Sequence, residues 1–326
     1  MKKSLIALAA VLSFSAYAES SVTLYGIADA WIGSAKHIDL SRTNQPNAGV
    51  NPVSSTNTVV DTGGLADSRI GLSAEEDLGG GLSAFVNYEI GTNMDTGTSA
   101  GTRQAIVGLA GGFGRVAVGF QATPYFDMMA ASIYTQDSVF DGFKQADQFY
   151  YTHTARYSNS VRYDTPNFDG FSGAAQIGLG ENKGVARATR NTSLTVRYAA
   201  GPLDLAAGVQ TDELTPGFKT TNSAIGGAYD FGAVKMNLGM TRSKDTGRKN
   251  ENGINLGASL PLGPVTVKGQ IGRHKASDMT DPINSFGIEA HYALSKRTTA
   301  YAGFMQVRQQ RVFKDRKFGG GVKHVF

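Results

Sequence analysis

Cysteine is absent from the sequence, so no disulfide braces the chain. Only nine prolines interrupt it. Beyond residue 18, no apolar run approaches the roughly 18 residues that a membrane-crossing helix needs. Neither sign of charge dominates: 31 Lys and Arg stand against 27 Asp and Glu. No dense basic run occurs, which argues against a nucleic-acid partner. Histidine is sparse, at five residues (His37, His153, His274, His291 and His324), and no two lie at metal-ligand spacing. No G-x-S-x-G or H-E-x-x-H motif accompanies them, so the sequence offers no catalytic triad and no metal site, and implies no cofactor. Glycine is plentiful at 41 residues but without a period, and aromatics reach 10%, which excludes collagen-like and low-complexity disordered chains. The mean hydropathy of −0.20 fits a soluble protein. It fits a transmembrane β-barrel equally well, because each barrel strand hides a lipid face behind every second residue.

What the sequence does contain is period-two alternation, repeated almost to its end. Residues 21–32, 69–75, 82–90, 104–110, 115–120, 160–167, 170–179 and 194–198 read as strands. So do 203–209, 223–231, 234–241, 254–260, 265–271, 286–294, 299–307 and 318–326, which makes sixteen in all. One face of these strands is Leu, Val, Ile, Ala, Gly, Tyr and Phe. The other carries Asp29, Arg69, Glu75, Glu89, Arg162, Arg197, Lys235, Lys268, Glu289 and Arg308. That many charges cannot be buried dry and unpaired, so the closed-off face must be wet. The apolar face then needs lipid, and closing the sheet satisfies every backbone donor and acceptor between strands. Short turns such as Gly79 to Gly81 alternate with longer polar connections at 33–61, 92–102, 121–154, 180–191, 210–222, 242–252, 273–284 and 308–317. A β-sandwich has no reason to sort its loops by parity, whereas an outer-membrane barrel does. The expected fold is all-β: a 16-stranded antiparallel transmembrane barrel spanning residues 19–326.

One connection stands apart. Residues 121–154 read QATPYFDMMAASIYTQDSVFDGFKQADQFYYTHT and carry Tyr125, Phe126, Tyr134, Phe140, Phe143, Phe149 and Tyr150. A connection this long is either disordered or functional, and disordered segments are poor in aromatics. The expectation is that it folds back into the barrel and narrows the lumen. Its acids are Asp127, Asp137, Asp141 and Asp147.

The two ends carry signals of export and assembly. Lys2 and Lys3, the apolar stretch from Leu5 to Phe14, and Ala16-Tyr17-Ala18 fit a cleavable signal peptide over residues 1–18. At the other end Phe326 follows His324, Val322, Gly320 and Phe318 on one face, which resembles the assembly signal of outer-membrane barrels.

The stretches SSVTLYGIADAW, SRIGLSAEEDLGGGLSAFVNYE, GRVAVGFQATP, RYSNSVRYDTPNFDGFS and GGGVKHVF together resemble the general diffusion porins of Gram-negative bacteria, in particular their beta-proteobacterial branch. The resemblance spans residues 19–326. It implies a homotrimer of 16-stranded barrels in the outer membrane, each with its third external loop inserted into the lumen. It further implies a basic wall facing loop carboxylates. Arg69 in SRIGL and Arg156 in RYSNS match wall positions, with Arg162 beside them, opposite the four loop aspartates. Other lumen charges are Asp29, Glu75, Glu89, Arg197, Lys235 and Lys268. Where the family often has Arg after the Gly of the fifth strand, this chain has Phe120, one basic charge fewer.

The expected function is passive diffusion of small hydrophilic solutes and ions, with weak anion preference. Outer-membrane lipid and lipopolysaccharide would surround the barrel. The alternative is a solute-specific channel or an adhesin on the same barrel. A sugar channel should show an aromatic ladder along the lumen. Phe85 and Phe304 are too few for one, with Tyr25 and Trp31 as further candidates.

Overall fold

The computed structural model describes residues 20–40, 53–150, 153–180, 190–215, 217–246 and 250–326. The expected signal peptide lies outside these. The described strands are β1 (Ser20–Asp39), β2 (Val53–Thr62), β3 (Arg69–Gly79), β4 (Leu82–Thr92), β5 (Ser99–Gly111), β6 (Gly114–Ala122), β7 (Arg156–Asp164), β8 (Phe171–Leu179) and β9 (Arg190–Ala200). They continue with β10 (Leu203–Thr215), β11 (Phe218–Asp230), β12 (Lys235–Asp245), β13 (Glu251–Leu262), β14 (Val265–Ala276), β15 (Ile283–Ala293), β16 (Thr298–Gln309) and β17 (Phe313–Val325). Every pairing is antiparallel and joins sequence neighbours, except that β1 also pairs with β3 and with β17, the latter from Ile27↔Val325 to Asp39↔Phe313, which closes the sheet on itself. β2 and β3 both pair with β1 and together fill one place in the wall. The seventeen described segments therefore make a 16-stranded barrel.

Alternation decides which way side chains point. Val22, Leu24 and Ile32 of β1, Ile70 and Leu72 of β3, and Val86, Tyr88 and Ile90 of β4 lie exposed on the outside. Asp29 and Trp31 of β1, Phe85 of β4 and Asp212 of β10 are buried on the inside. The strands run further than the alternation suggests. The connection expected over 33–61 holds the last third of β1 and all of β2 but Thr62, and that over 210–222 is mostly β10 and β11. Above the apolar band both faces are polar, so the hydropathy signal fades while the ladder continues. This also moves Arg308. It lies exposed between buried Val307 and Gln309, on the outer face and not in the lumen. Phe304 points outward as well, one residue before buried Met305, with its ring 6.2 Å from that of Phe286.

The C-terminus seats on the first strand. Phe326 donates its N–H to Gly26 (3.1 Å) and accepts the N–H of Gly26 in return (3.0 Å). Its ring covers Gly26, where a Cβ would meet Phe326 Cζ at 2.3 Å. Gly26 is thus occupied within the chain, leaving Ala28 and Ala30 as the small outward residues of β1.

Candidate functional site

The connection after β6 is a folded element. Thr123 caps a short helix α1 (Pro124–Met128) by accepting the Phe126 N–H at 3.1 Å. One π-helical turn, Met129–Ile133, follows, and after a bend the helix α2 (Gly142–Tyr150). Asp141 precedes α2 and accepts the Lys144 N–H at 3.0 Å, as a capping carboxylate does. The segment packs on inward wall residues at two places. Met129, Ile133 and Phe143 form one apolar cluster with Ala206 and Ala224 of β10 and β11. Phe140 and Ala146 form another with Trp31, Ile283, Tyr301 and Met305. Phe140, Phe143 and Ile133 are 0% exposed. Burial at that level stabilises by about 1.5–3 kcal/mol per side chain. The wall makes room with glycine: a Cβ on Gly303 would lie 2.5 Å from the Phe140 ring, and one on Gly239 would lie 2.8 Å from Ile133 Cγ2. Polar ties add to this, with Ser138 Oγ donating to Glu289 at 2.5 Å and Asn255 Nδ2 to the Ile133 carbonyl at 2.9 Å.

On the side away from this packing, a cavity of about 560 Å³ separates the segment from the wall of β3 to β7. Six cations line it, Arg69, Arg103, Arg115, Lys144, Arg156 and Arg162, against four carboxylates, Asp67, Glu89, Asp127 and Asp137. Arg162 bonds Asp127 of α1 at 2.6 Å, Asp164 at 2.8 Å and the Ala122 carbonyl at 3.0 Å. Arg103 bridges Glu89 (2.7 Å) and Asp67 (2.6 Å). Arg69 stands 3.7 Å from Glu89, which also accepts the Tyr25 hydroxyl at 3.1 Å. Lys144 pairs with Asp137 at 2.7 Å. Arg115 lies over the Phe85 ring at 4.0 Å and Arg156 over the Phe126 ring at 5.6 Å. Among the described residues, neither is in ion-pair contact with a carboxylate.

The four loop aspartates divide into two pairs. Asp127 and Asp137 face the cavity. Asp141 and Asp147 do not: both are buried, Asp141 among the amides of Gln136, Asp137 and Lys144, and Asp147 against the Tyr134 hydroxyl at 2.5 Å. Burial raises the Asp141 carboxyl above its ordinary range despite those amides. Burial and the neighbouring Asp147 carboxylate push Tyr134 well up. Asp137 is also raised, because burial outweighs the Lys144 ammonium beside it.

The expected basic wall of Arg69, Arg156 and Arg162 does come together, and Glu89 joins it. Asp29 is not a free lumen charge: it is wholly buried and accepts three backbone amides of residues 64–66. Arg197 forms a two-pronged pair with Asp204 (2.8 and 2.7 Å) at the foot of β9 and β10. Glu75 and Lys235 are exposed toward the same end of the barrel, and Lys268 stands beside Glu289 on β14 and β15. None of these five reaches the cavity. Phe120 follows Val118 on the outer face, so it marks no gap in the basic wall. Sequence reasoning passed over Arg115, although its alternation with the outward Val116 and Val118 places it on the inner face. Alternation does not place Arg103 there. Register along β4 and β5 passes from Glu89↔Gln104 to Ile90↔Thr102, so Arg103 is the extra residue of a bulge and turns inward against the alternation.

A closed barrel with an aqueous charged interior, an apolar exterior and a folded third long connection defines a channel-forming outer-membrane protein. The model of the Gram-negative porin family matches residues 4–311, and the chain belongs to that family. It is 32% identical to outer membrane porin protein 32 of Delftia acidovorans, over 92% of this chain and 88% of that one. It is 30% identical to an outer membrane porin protein of Bordetella pertussis, over the full length of both. Among solved structures it is similar to the anion-selective porin from Comamonas acidovorans, with a TM-score of 0.79, 25% identity, and 94% and 100% of the two chains covered. The chain is an outer-membrane porin.

Proposed function

We propose that the barrel is a passive diffusion pore for small hydrophilic solutes and ions, narrowed by residues 121–154 and with a weak preference for anions. The observation that carries this reading is the cavity between the third segment and the wall, with six cations against four carboxylates. Arg69, Arg103, Arg115, Arg156 and Arg162 lie on the wall, and Asp127 and Asp137 on the segment across from it. The field therefore runs across the slot. Polar solutes orient in that field, while greasy ones must displace water held by it. The positive excess raises the local concentration of anions over cations. The similar porin from Comamonas acidovorans, described as anion-selective, agrees in sign.

The outward Ala28 and Ala30 of β1 would let a second barrel approach closely, which supports a homotrimer built around the first strand. Lipid, including lipopolysaccharide, would cover the remaining apolar exterior. Swelling of proteoliposomes in sugars of graded size tests the reading. A smooth size cut-off is the expected result. Rapid uptake of one sugar out of order with its size would favour the solute-specific alternative.

A further inference from the structure

One place in the wall is interrupted. Pairing with β1 jumps from Ala30↔Thr62 in β2 to Ile27↔Arg69 in β3. Residues 63–68 have only Ala28 and Asp29 of β1 opposite them, so they cannot stay in the ladder. They bend inward, because Leu65, Ala66 and Asp67 line the same cavity as Arg69 and Arg103.

The inset is held from a single buried residue. Asp29 Oδ2 accepts the amides of Leu65 and Ala66, each at 2.8 Å. Its Oδ1 accepts the Gly64 amide at 3.2 Å and the Tyr301 hydroxyl of β16. The Asp29 backbone completes the clasp, donating to Ser68 Oγ and accepting from the Gly63 N–H, both at 2.9 Å. Charge-assisted bonds to several amides fix a loop more firmly than neutral ones. Gly64 is needed for the approach, since a Cβ there would fall 1.9 Å from Tyr301 Oη. The Gly64 carbonyl accepts the Val139 N–H at 2.9 Å, which ties the inset to the third segment. At its end the inset presents Asp67, with a side chain 69% exposed, to Arg103 at 2.6 Å.

We infer that residues 63–68 are a second constriction element facing the third segment, and that Asp29 is the positioning residue that sets Asp67 against Arg103 and so fixes part of the ion preference. This rests on the pore reading above. Asp29 itself never meets a permeating ion. It acts through the amides it holds.

The test compares wild type, Asp67→Asn, Asp29→Asn and the double variant as full-length purified channels in planar bilayers across a KCl gradient. Asp67→Asn should raise the anion-to-cation permeability ratio about two- to fourfold, the factor for one solvated charge near the ion path. Asp29→Asn should shift the ratio in the same direction, by no more than Asp67→Asn, because a carboxamide has one acceptor oxygen where the carboxylate offers two to the Gly64, Leu65 and Ala66 N–H groups. The double variant should go no further than Asp67→Asn alone. An unchanged ratio in a folded Asp29→Asn channel, or shifts that multiply in the double variant, overturns the inference. So does an Asp67→Asn channel with the wild-type ratio. Should Asp29→Asn fail to fold, Tyr301→Phe removes one donor from the same carboxylate and keeps the ring. It must shift the ratio in the same direction, and no shift there overturns the positioning role. A wild-type channel that passes no current overturns the pore reading as well, whereas a shift with Asp67→Asn alone overturns only the role of Asp29.

Discussion

At the scale of single residues, the proposed ion preference arises from charge placed in water. A unit charge about 6 Å from a passing ion contributes about 0.7 kcal/mol in bulk water, and about 0.4 kcal/mol after screening at 0.1 M salt. That is enough to roughly double the preference of one ion and halve that of its opposite. Replacing Arg115 or Arg156 by Gln should therefore lower the anion-to-cation permeability ratio about two- to fourfold, read as a reversal potential across a salt gradient. Asp137 adds a pH dependence. Its carboxyl is raised by burial, so its negative charge is lost, as pH falls, before an ordinary aspartate with a pKa of about 3.9 would protonate. Anion preference should rise on acidification starting above that range, and Asp137→Asn should remove this early part of the titration curve. Much of the site was legible at this scale. Arg69, Arg156, Arg162, Glu89, Asp127 and Asp137 were all readable from alternation, or from the resemblance and the odd third connection. Arg103 was hidden by a bulge that only cross-strand register reveals. Asp29, Asp141 and Asp147 carry charge on paper but spend it on amides and a hydroxyl, and composition cannot tell a solvated carboxylate from a capping one.

At the scale of elements, the third segment and the wall were shaped for each other. Phe140 sits between Trp31 and Tyr301, with ring centroids 5.6 and 6.5 Å away, and Gly303 lies beneath it. Phe140→Ala should remove about 3–5 kcal/mol of this anchoring. Gly303→Val should do comparable damage from the wall side. Both variants should show larger and noisier single-channel currents, whereas a purely surface loop would leave conductance at the wild-type level. The aromatic content of residues 121–154 foretold that the segment packs. Its partners were not foretold, because they are glycines and alanines of β10 to β16 together with Trp31, Ile283, Tyr301 and Met305, residues brought together only once the ring closes. The strands themselves were legible where an apolar face alternates with a polar one. Past that band the sheet continues with no such contrast, and β2 was missed entirely.

At the scale of the whole molecule, closure explains why a chain with no disulfide can hold a wide aqueous interior. β1 meets β17 over thirteen paired positions, which closes the ring of strands. The terminal Phe326 seats on Gly26 at this seam, so Phe326→Ala, or bulk at Gly26, should slow assembly in detergent or lipid vesicles, read as the lag before heat-resistant folded bands form. The measurement that bears most directly on the whole is the reversal potential of the purified chain in a planar bilayer separating concentrated from dilute KCl. Steady ohmic current reversing on the chloride side, by a modest margin, is the predicted result. No current, or reversal on the potassium side, would contradict it.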